Sequence, residues 1–437
     1  MMEPWLLSLI VFGLLTIILL TGVPIAFALM AIGTIGTLFV WGTKGLLMAF
    51  NTAYGEGTNY ILLAVPLFVL MANVLKFSGI ADELYEIVYR WMGQIRGGLA
   101  MGTVAICAIF AAMAGISSAA TVSMGLIALP SMLSRGYHKS IALGSINAGG
   151  ALGILIPPSI IMVLYSNMTD VSVGQLFAGG ILPGVLLTMV FVGYIALRCF
   201  VNKGLGPPGE ERFTFVEKIA TLKGVISPLI LVALVLGVMY LGICTPTEAA
   251  AIGAGGAFAA AAIHRKLTWS RARQSLIETM SLTVMIFWLI IGANTFTHFL
   301  AYAEIQTMIQ QAILSLEINR WLILILIQII YFILGCFLDP AGILLLTTPI
   351  FVPVIAKMGF DPLWFGILFT INMEMAYVTP PFGFNLFILK GVAPPEITMA
   401  DIYGSVWPFV VCQAACLALV MLWPEMALYL PSLMVRQ

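Results

Sequence analysis

The residues that could do chemistry in this chain are mostly small and polar, set inside long uncharged runs. From Gly97 to Ser134 there is no charged residue, and the apolar run breaks at Ala114–Thr121, which holds Gly115, Ser117, Ser118 and Thr121. The next apolar stretch carries Asn147, Gly149 and Gly150, then Pro157, Pro158 and Ser159. The pattern returns downstream with Asp339, Pro340, Gly342, Thr347 and Thr348, followed by Thr370, Asn372, Thr379, Pro380 and Pro381. Glycine lets backbone or ligand approach, and proline frees a carbonyl from helical bonding. A helix broken at membrane depth presents free N–H groups at one half-helix and free C=O groups at the other. The first favour a carboxylate and the second a cation such as Na⁺. No Lys or Arg falls in either proline-broken segment, so an anionic substrate must be met by helix ends and Na⁺. The alternative for any single Ser or Gly is close helix packing. Asp339 and Glu374 are the deep acids of the second half. An intramembrane acid is costly and marks function by default. Asp339 at a break can bind a cation or cap a half-helix.

The elements that position these residues follow from composition. Of 437 residues, 61% are hydrophobic and 9% charged, with net charge zero. This is an all-α polytopic membrane protein. The alternation of an outer-membrane barrel is absent. Without a basic or acidic tail, nucleic acid is not expected as a partner. The first apolar segment, from Trp5, follows Glu3 without a basic region and reads as a first transmembrane helix rather than a cleaved signal. The six cysteines lack metal-ligand spacing, and Cys412 and Cys416 read as small packing residues on one helix face.

Helices are expected at 5–20, 24–41 and 60–77, with an amphipathic interfacial helix at 81–92. A hairpin over about 99–134 follows, then a proline-broken helix at 141–165 and a helix at 181–200. Each hairpin arm holds about 13–15 residues by this reading. At ~1.5 Å per residue that falls short of the ~20 residues a bilayer core needs. The hairpin is therefore expected to be re-entrant, its tip buried in protein or lining a wet cavity. The polar stretch 201–223, with Lys203, Glu210, Glu211, Arg212, Glu217 and Lys218, reads as a cytoplasmic linker. Connecting helices at 225–243 and 249–263 and a basic arm at 264–273 come next. The second half then offers a helix at 279–297, an arm at 301–316, a hairpin over about 321–356, a broken helix at 363–389 and a helix at 402–422.

The two halves share one order of elements. A single shift carries Pro157–Pro158 onto Pro380–Pro381, Pro130 onto Pro353 and Ser117 onto Pro340 without a gap. The division expected is 1–59 as N-terminal scaffold, 60–200 as first repeat, 201–223 as linker, 224–278 as connecting scaffold and 279–437 as second repeat. Arg96, Arg135 and Lys139 place the base of the first hairpin in the cytoplasm. Counting helices then puts the second base outside, which makes the repeats inverted and both termini periplasmic.

At this point a family resemblance is evident. TGVPIAFAL, VPLFVLMANVL, GISSAAT, INAGGALGILIPPS, CTPTEAAA, DPAGILLLTTPIFVP and TPPFGFNLF together resemble the large membrane subunit, DctM type, of TRAP (tripartite ATP-independent periplasmic) transporters. The resemblance covers nearly the whole chain. It implies an elevator-type secondary transporter of the bacterial inner membrane, in which a hairpin domain moves against a fixed scaffold. It implies Na⁺ coupling, with Na⁺ held by carbonyls and hydroxyls around Ser117, Asn147, Asp339 and Thr379. It implies a separate four-helix membrane subunit, a periplasmic substrate-binding protein and an organic-acid substrate such as a C4-dicarboxylate or sialic acid. No other cofactor is expected.

Two rival readings remain. A stand-alone Na⁺/dicarboxylate symporter would share hairpins and inverted repeats without needing a binding protein. An intramembrane serine protease would use Ser117, in a Gly-x-Ser pattern, with His298 as base, and requires the two within hydrogen-bond reach. A primary pump is disfavoured because no phosphate-loop motif is present.

Overall fold

The computed structural model describes residues 3–209 and 211–434, so Glu210 of the linker lies outside them. All regular structure among the described residues is helical. The first helices are α1 (Pro4–Leu20), α2 (Ile25–Trp41), α3 (Lys44–Gly57), α4 (Ala64–Lys76) and α5 (Ile80–Met92). Helix α3 is absent from the sequence reading. Lys44, Asn51 and Glu56 interrupt its apolar pattern, and it bends by 59° into the segment that carries α4.

Next come α6 (Gly98–Ala114), α7 (Ser117–Ser134), α8 (Lys139–Ala151), α9 (Ile160–Thr169) and α10 (Val173–Val201). The linker contains α11 (Phe215–Thr221), started by a capping box in which Thr214 and Glu217 satisfy each other's backbone N–H groups. Then follow α12 (Lys223–Tyr240), α13 (Pro246–Ile263) and α14 (Trp269–Tyr302). Helix α14 is longer than expected because it absorbs Arg271 and Arg273 of the basic arm and runs on to Tyr302. The chain closes with α15 (Ile305–Leu314), α16 (Arg320–Gly335), α17 (Pro340–Lys357), α18 (Pro362–Val378), α19 (Phe384–Val392), α20 (Met399–Leu422) and α21 (Glu425–Leu433).

Six helical segments among the described residues are long and apolar enough to cross a membrane: α7, α10, the continuous α11–α12, α14, α17 and α20. The bent pair α3–α4 makes a seventh if counted as one span. The chain is a multi-pass membrane protein.

The helix pairs α6–α7 and α16–α17 differ from expectation in arm length. The first break is only Gly115–Ile116, so Ser117, Ser118 and Thr121 already belong to α7. The arms have 17 and 18 residues in the first pair and 16 and 18 in the second. At ~1.5 Å per residue they measure roughly 24–27 Å, close to the ~30 Å core.

Two packed groups of helices emerge. In one, α2, α4, α13 and α14 pack together, with α3 against α2 and α14, and α12 against α13. Asn73 Nδ2 donates to Thr279 Oγ1 at 3.0 Å, and Lys76 pairs with Glu278 at 3.1 Å. In the other, α6–α10 pack with α16–α21 around α8 and α18. Every residue of α8 from Ile141 to Ala151 is buried. Its small side chains explain this: Gly, Ala, Ser and Asn let α6, α7 and α20 close on it, which is how helices associate where lipid removes the hydrophobic drive.

Candidate transport site

The two breaks, though far apart in sequence, line one cavity of about 290 Å³. That is near the lower end of small-molecule sites, ~300–1,000 Å³. Gly115, Ser117 and Ser118 come from the first tip, Asp339 and Ala341 from the second. Ser159 and Ile160 come from the first proline-broken helix, Tyr377, Phe382 and Phe384 from the second. The opposite wall belongs to the other helix group, with Pro24–Ala26 of α2 and Leu282–Leu289 of α14. No Lys, Arg or His lines it. A larger cleft of about 740 Å³ opens between α16, α18 and α20, but its lining is nearly all apolar, including Trp321 and Trp407. The converging tips place the polar chemistry in the smaller cavity.

The first tip is shaped by its glycine. Gly115 has φ +65°, a left-handed cap on α6, and a Cβ there would lie 2.5 Å from the Pro158 carbonyl oxygen. The tip thus closes directly on the Pro157–Pro158 break. Both proline pairs contain a cis peptide bond. Ser159 caps α9 and donates to the Ile154 carbonyl. Ser117 Oγ donates to Asn385 Oδ1 at 2.8 Å, and Asn385 Nδ2 donates to the Asn147 carbonyl at 3.4 Å. Asn147 Oδ1 is buried with no hydrogen-bond partner. Asn385 escaped the sequence reading. Its signal was a lone amide in the apolar run after the second proline pair.

The second tip is capped by Asp339, whose Oδ2 accepts from Ala341 N (3.0 Å) and Gly342 N (3.4 Å). Pro340 is the first residue of α17, and a Cβ on Gly342 would lie 3.0 Å from Ile25 of α2. Asp339 therefore does cap a half-helix while also lining the cavity. At the second proline break, the Pro381 carbonyl accepts from Tyr403 Oη at 2.9 Å.

The remaining residues singled out from sequence do not line the cavity. Gly149 and Gly150 let α8 approach α6 and α7, since added Cβ atoms would lie 3.0 Å from Cys107 and 2.0 Å from Thr121 Oγ1. The hydroxyls of Thr121, Thr347, Thr370 and Thr379 donate to carbonyls of their own helices. Thr348 Oγ1 is buried without a partner. Asn372 Nδ2 donates to Gln328 at 2.8 and 2.9 Å, on the side of the larger cleft. Glu374 is fully buried beside Gln413 of α20, and neither carboxyl oxygen has a partner.

The protease reading fails on geometry. His298 Nδ1 meets Thr52 Oγ1 at 3.2 Å and lines a separate pocket between α2, α3 and α14, while Ser117 is bonded to Asn385. Among the described residues no histidine bonds the serine.

Comparison with known proteins identifies the family. The profile described as "Tripartite ATP-independent periplasmic transporter, DctM component" matches residues 12–426. The chain belongs to the DctM family of TRAP transporter components. It is thus a transporter permease and not an enzyme. Among its DctM relatives is the C4-dicarboxylate TRAP transporter large permease protein of Pseudomonas aeruginosa, 35% identical over 86% of this chain and 87% of the relative. An ectoine TRAP transporter large permease of Halomonas elongata is 31% identical over 96% and 97%. An isethionate permease of Oleidesulfovibrio alaskensis, named DctMQ, is 32% identical over 89% of this chain and 61% of its own length. In fold, the DctM chain is similar to the Alcanivorax borkumensis YdaH transporter, with TM-score 0.61 and 15% identity over 90% and 91% of the two chains.

Proposed function

We propose that this chain is the large permease of a Na⁺-coupled TRAP system importing an organic acid across the bacterial inner membrane. The observation that carries the reading is the single cavity. Two helix breaks from opposite halves of the chain meet there, faced by scaffold helices α2 and α14. In this reading 60–200 and 279–437 are inverted repeats, the helix pairs α6–α7 and α16–α17 are re-entrant hairpins, and 201–223 is a cytoplasmic linker. The hairpin domain carries α6–α10 and α16–α21, and it slides as an elevator against the scaffold of α1–α4 and α12–α14. Burial at the first tip favours re-entrance: Gly115 is buried and Ser117, which starts α7, is 3% exposed.

Substrate enters at the tips, where the first turn of α7, which has no side-chain cap, and that of α9 direct N–H groups at an anion. Ser117, Ser118 and Ser159 supply hydroxyls, and Phe382 and Phe384 close the apolar side. Na⁺ is a hard cation taken by oxygen donors. Support for it comes from Asn147 Oδ1, a buried acceptor without a donor on the residue whose backbone carbonyl Asn385 links to Ser117, and from the Asp339 carboxylate at the other tip. Filling these positions orders both tips, and the loaded domain then crosses. C4-dicarboxylates, ectoine and isethionate, named for the relatives, share an anionic group on a small body. A periplasmic binding protein delivers the substrate and a DctQ-type small membrane subunit braces the scaffold, a pairing consistent with the DctMQ name of one relative.

The test is uptake in proteoliposomes with labelled C4-dicarboxylates, sialic acid, ectoine and isethionate. It is run with and without a Na⁺ gradient, and with and without the two partner proteins. Uptake requiring Na⁺ and both partners is expected. Na⁺-driven uptake by this chain alone would make it a stand-alone symporter, and uptake indifferent to Na⁺ would remove the coupling ion.

A further inference from the structure

One polar bridge crosses from the scaffold to the hairpin domain away from the cavity. Glu56 ends α3, and its Oε1 accepts from Asn294 Nδ2 of α14 at 2.7 Å, which ties it to the scaffold. Asn59 precedes α4, and its Oδ1 accepts from Ile61 N at 3.0 Å, which turns its Nδ2 outward. Both reach one residue on the other body, Asn167 in the last turn of α9. Asn59 Nδ2 donates to Asn167 Oδ1 at 2.6 Å, and Asn167 Nδ2 donates to Glu56 Oε2 at 3.4 Å. Glu56, Asn59 and Asn167 are all half-buried. Around the cavity the two bodies meet instead through apolar side chains such as Leu282, Ile286 and Leu289, which can slide without a specific register.

We infer that Glu56, Asn59 and Asn167 form a latch that sets the resting position of the hairpin domain and opens on each crossing. This rests on the elevator reading above. A hydrogen-bonded amide pair has one register, whereas an apolar face has many of similar energy. The bridge therefore biases the equilibrium between the two positions without touching substrate. Asn167 and Glu56 are positioning residues. Their loss changes how the domain is distributed between positions and leaves the tips intact.

The experiment uses Ile160→Cys, a cavity-lining reporter on the first turn of α9. The chain is reconstituted with its small partner subunit and labelled with a membrane-impermeant maleimide from either side of oriented vesicles. The parent sequence serves as blank for the six native cysteines. Asn167→Leu is expected to shift the ratio of labelling from the two sides by about two- to tenfold, the range one net hydrogen bond supplies, toward the side disfavoured in the reporter alone. Glu56→Gln, which keeps one acceptor, should shift it less. An unchanged ratio in both variants overturns the latch and leaves the elevator standing. Labelling from one side only, with and without Asn167→Leu, overturns the elevator reading and the latch with it. Should Asn167→Leu fail to assemble, Asn59→Ala removes the 2.6 Å bond from the scaffold side and is read in its place.

Discussion

Ser117 and Asn385 stand 268 residues apart, yet the serine hydroxyl donates to the amide oxygen at 2.8 Å, and both side chains are buried. The bond ties the first tip to the helix that follows the second proline break. The same amide reaches the Asn147 carbonyl. One side chain thus joins α7, α8 and α19 at the site's edge.

Asn385→Leu removes that junction while filling its volume. It leaves the Ser117 hydroxyl without its acceptor in a buried place, a cost of about 1–3 kcal/mol. The expected outcome is at least about a fivefold rise in the Na⁺ concentration giving half-maximal uptake, because about 1.4 kcal/mol corresponds to a factor of ten. A Na⁺ titration of uptake checks it. An unchanged midpoint would mean that the junction only packs helices.

Asp339 caps α17 and is proposed to bind Na⁺, and substitution separates the two. Asn is as good a helix cap as Asp, while Ala at a cap costs about 0.5–2 kcal/mol. Asp339→Asn should therefore melt near the parent temperature yet need more Na⁺ for uptake. Asp339→Ala should lose both stability and uptake. Thermal unfolding paired with Na⁺-dependent uptake reads the two effects. Normal uptake by the Asn variant would leave Asp339 as a cap alone.

Gly115→Ala tests the fit between tip and break. The left-handed region costs a side chain about 1–2 kcal/mol, and the new Cβ would lie 2.5 Å from the Pro158 carbonyl oxygen. A lower melting temperature and loss of uptake are expected. Gly255→Ala is the control. It lies in α13 with nothing within 4 Å of an added Cβ, so helix propensity should hold or raise the melting temperature. Equal behaviour of the two variants would remove the proposed closure of tip on break.

What was legible in the sequence is what backbone chemistry writes locally. Glycine before a serine pair, proline pairs and an acid before a proline each mark a helix end without reference to any partner. The breaks at 115 and 339 and after 151 and 378 fell where those residues stand. Arm length was underestimated because Ser117, Ser118 and Thr121 read as loop, although the chain resumes a helix at Ser117 itself. Helix α3 was hidden because an amphipathic helix with Lys44 and Glu56 resembles a polar connection. Asn385 and Asn167 were illegible in another sense. Each acts through partners more than 100 residues away, 268 for Ser117 and 108 for Asn59, and nothing near either residue announces them.

The scaffold carries its own test. Helices α2 and α14 cross at reciprocal glycines. A Cβ on Gly33 would lie 2.7 Å from Phe296 N, and one on Gly292 would lie 2.4 Å from the Ala26 carbonyl oxygen. Ala26 and Leu289 next to this crossing also line the cavity. Gly292→Val must push the two helices apart and move the wall over which the hairpin domain is proposed to slide. Its effect should fall on uptake at every Na⁺ concentration, since the tips and their oxygen donors are untouched. Gly237→Ala in α12, with open space around the added Cβ, should leave uptake unchanged. A Gly292→Val chain that transports at the parent rate would show that this wall does not guide the movement, and the division into scaffold and moving domain would have to be redrawn.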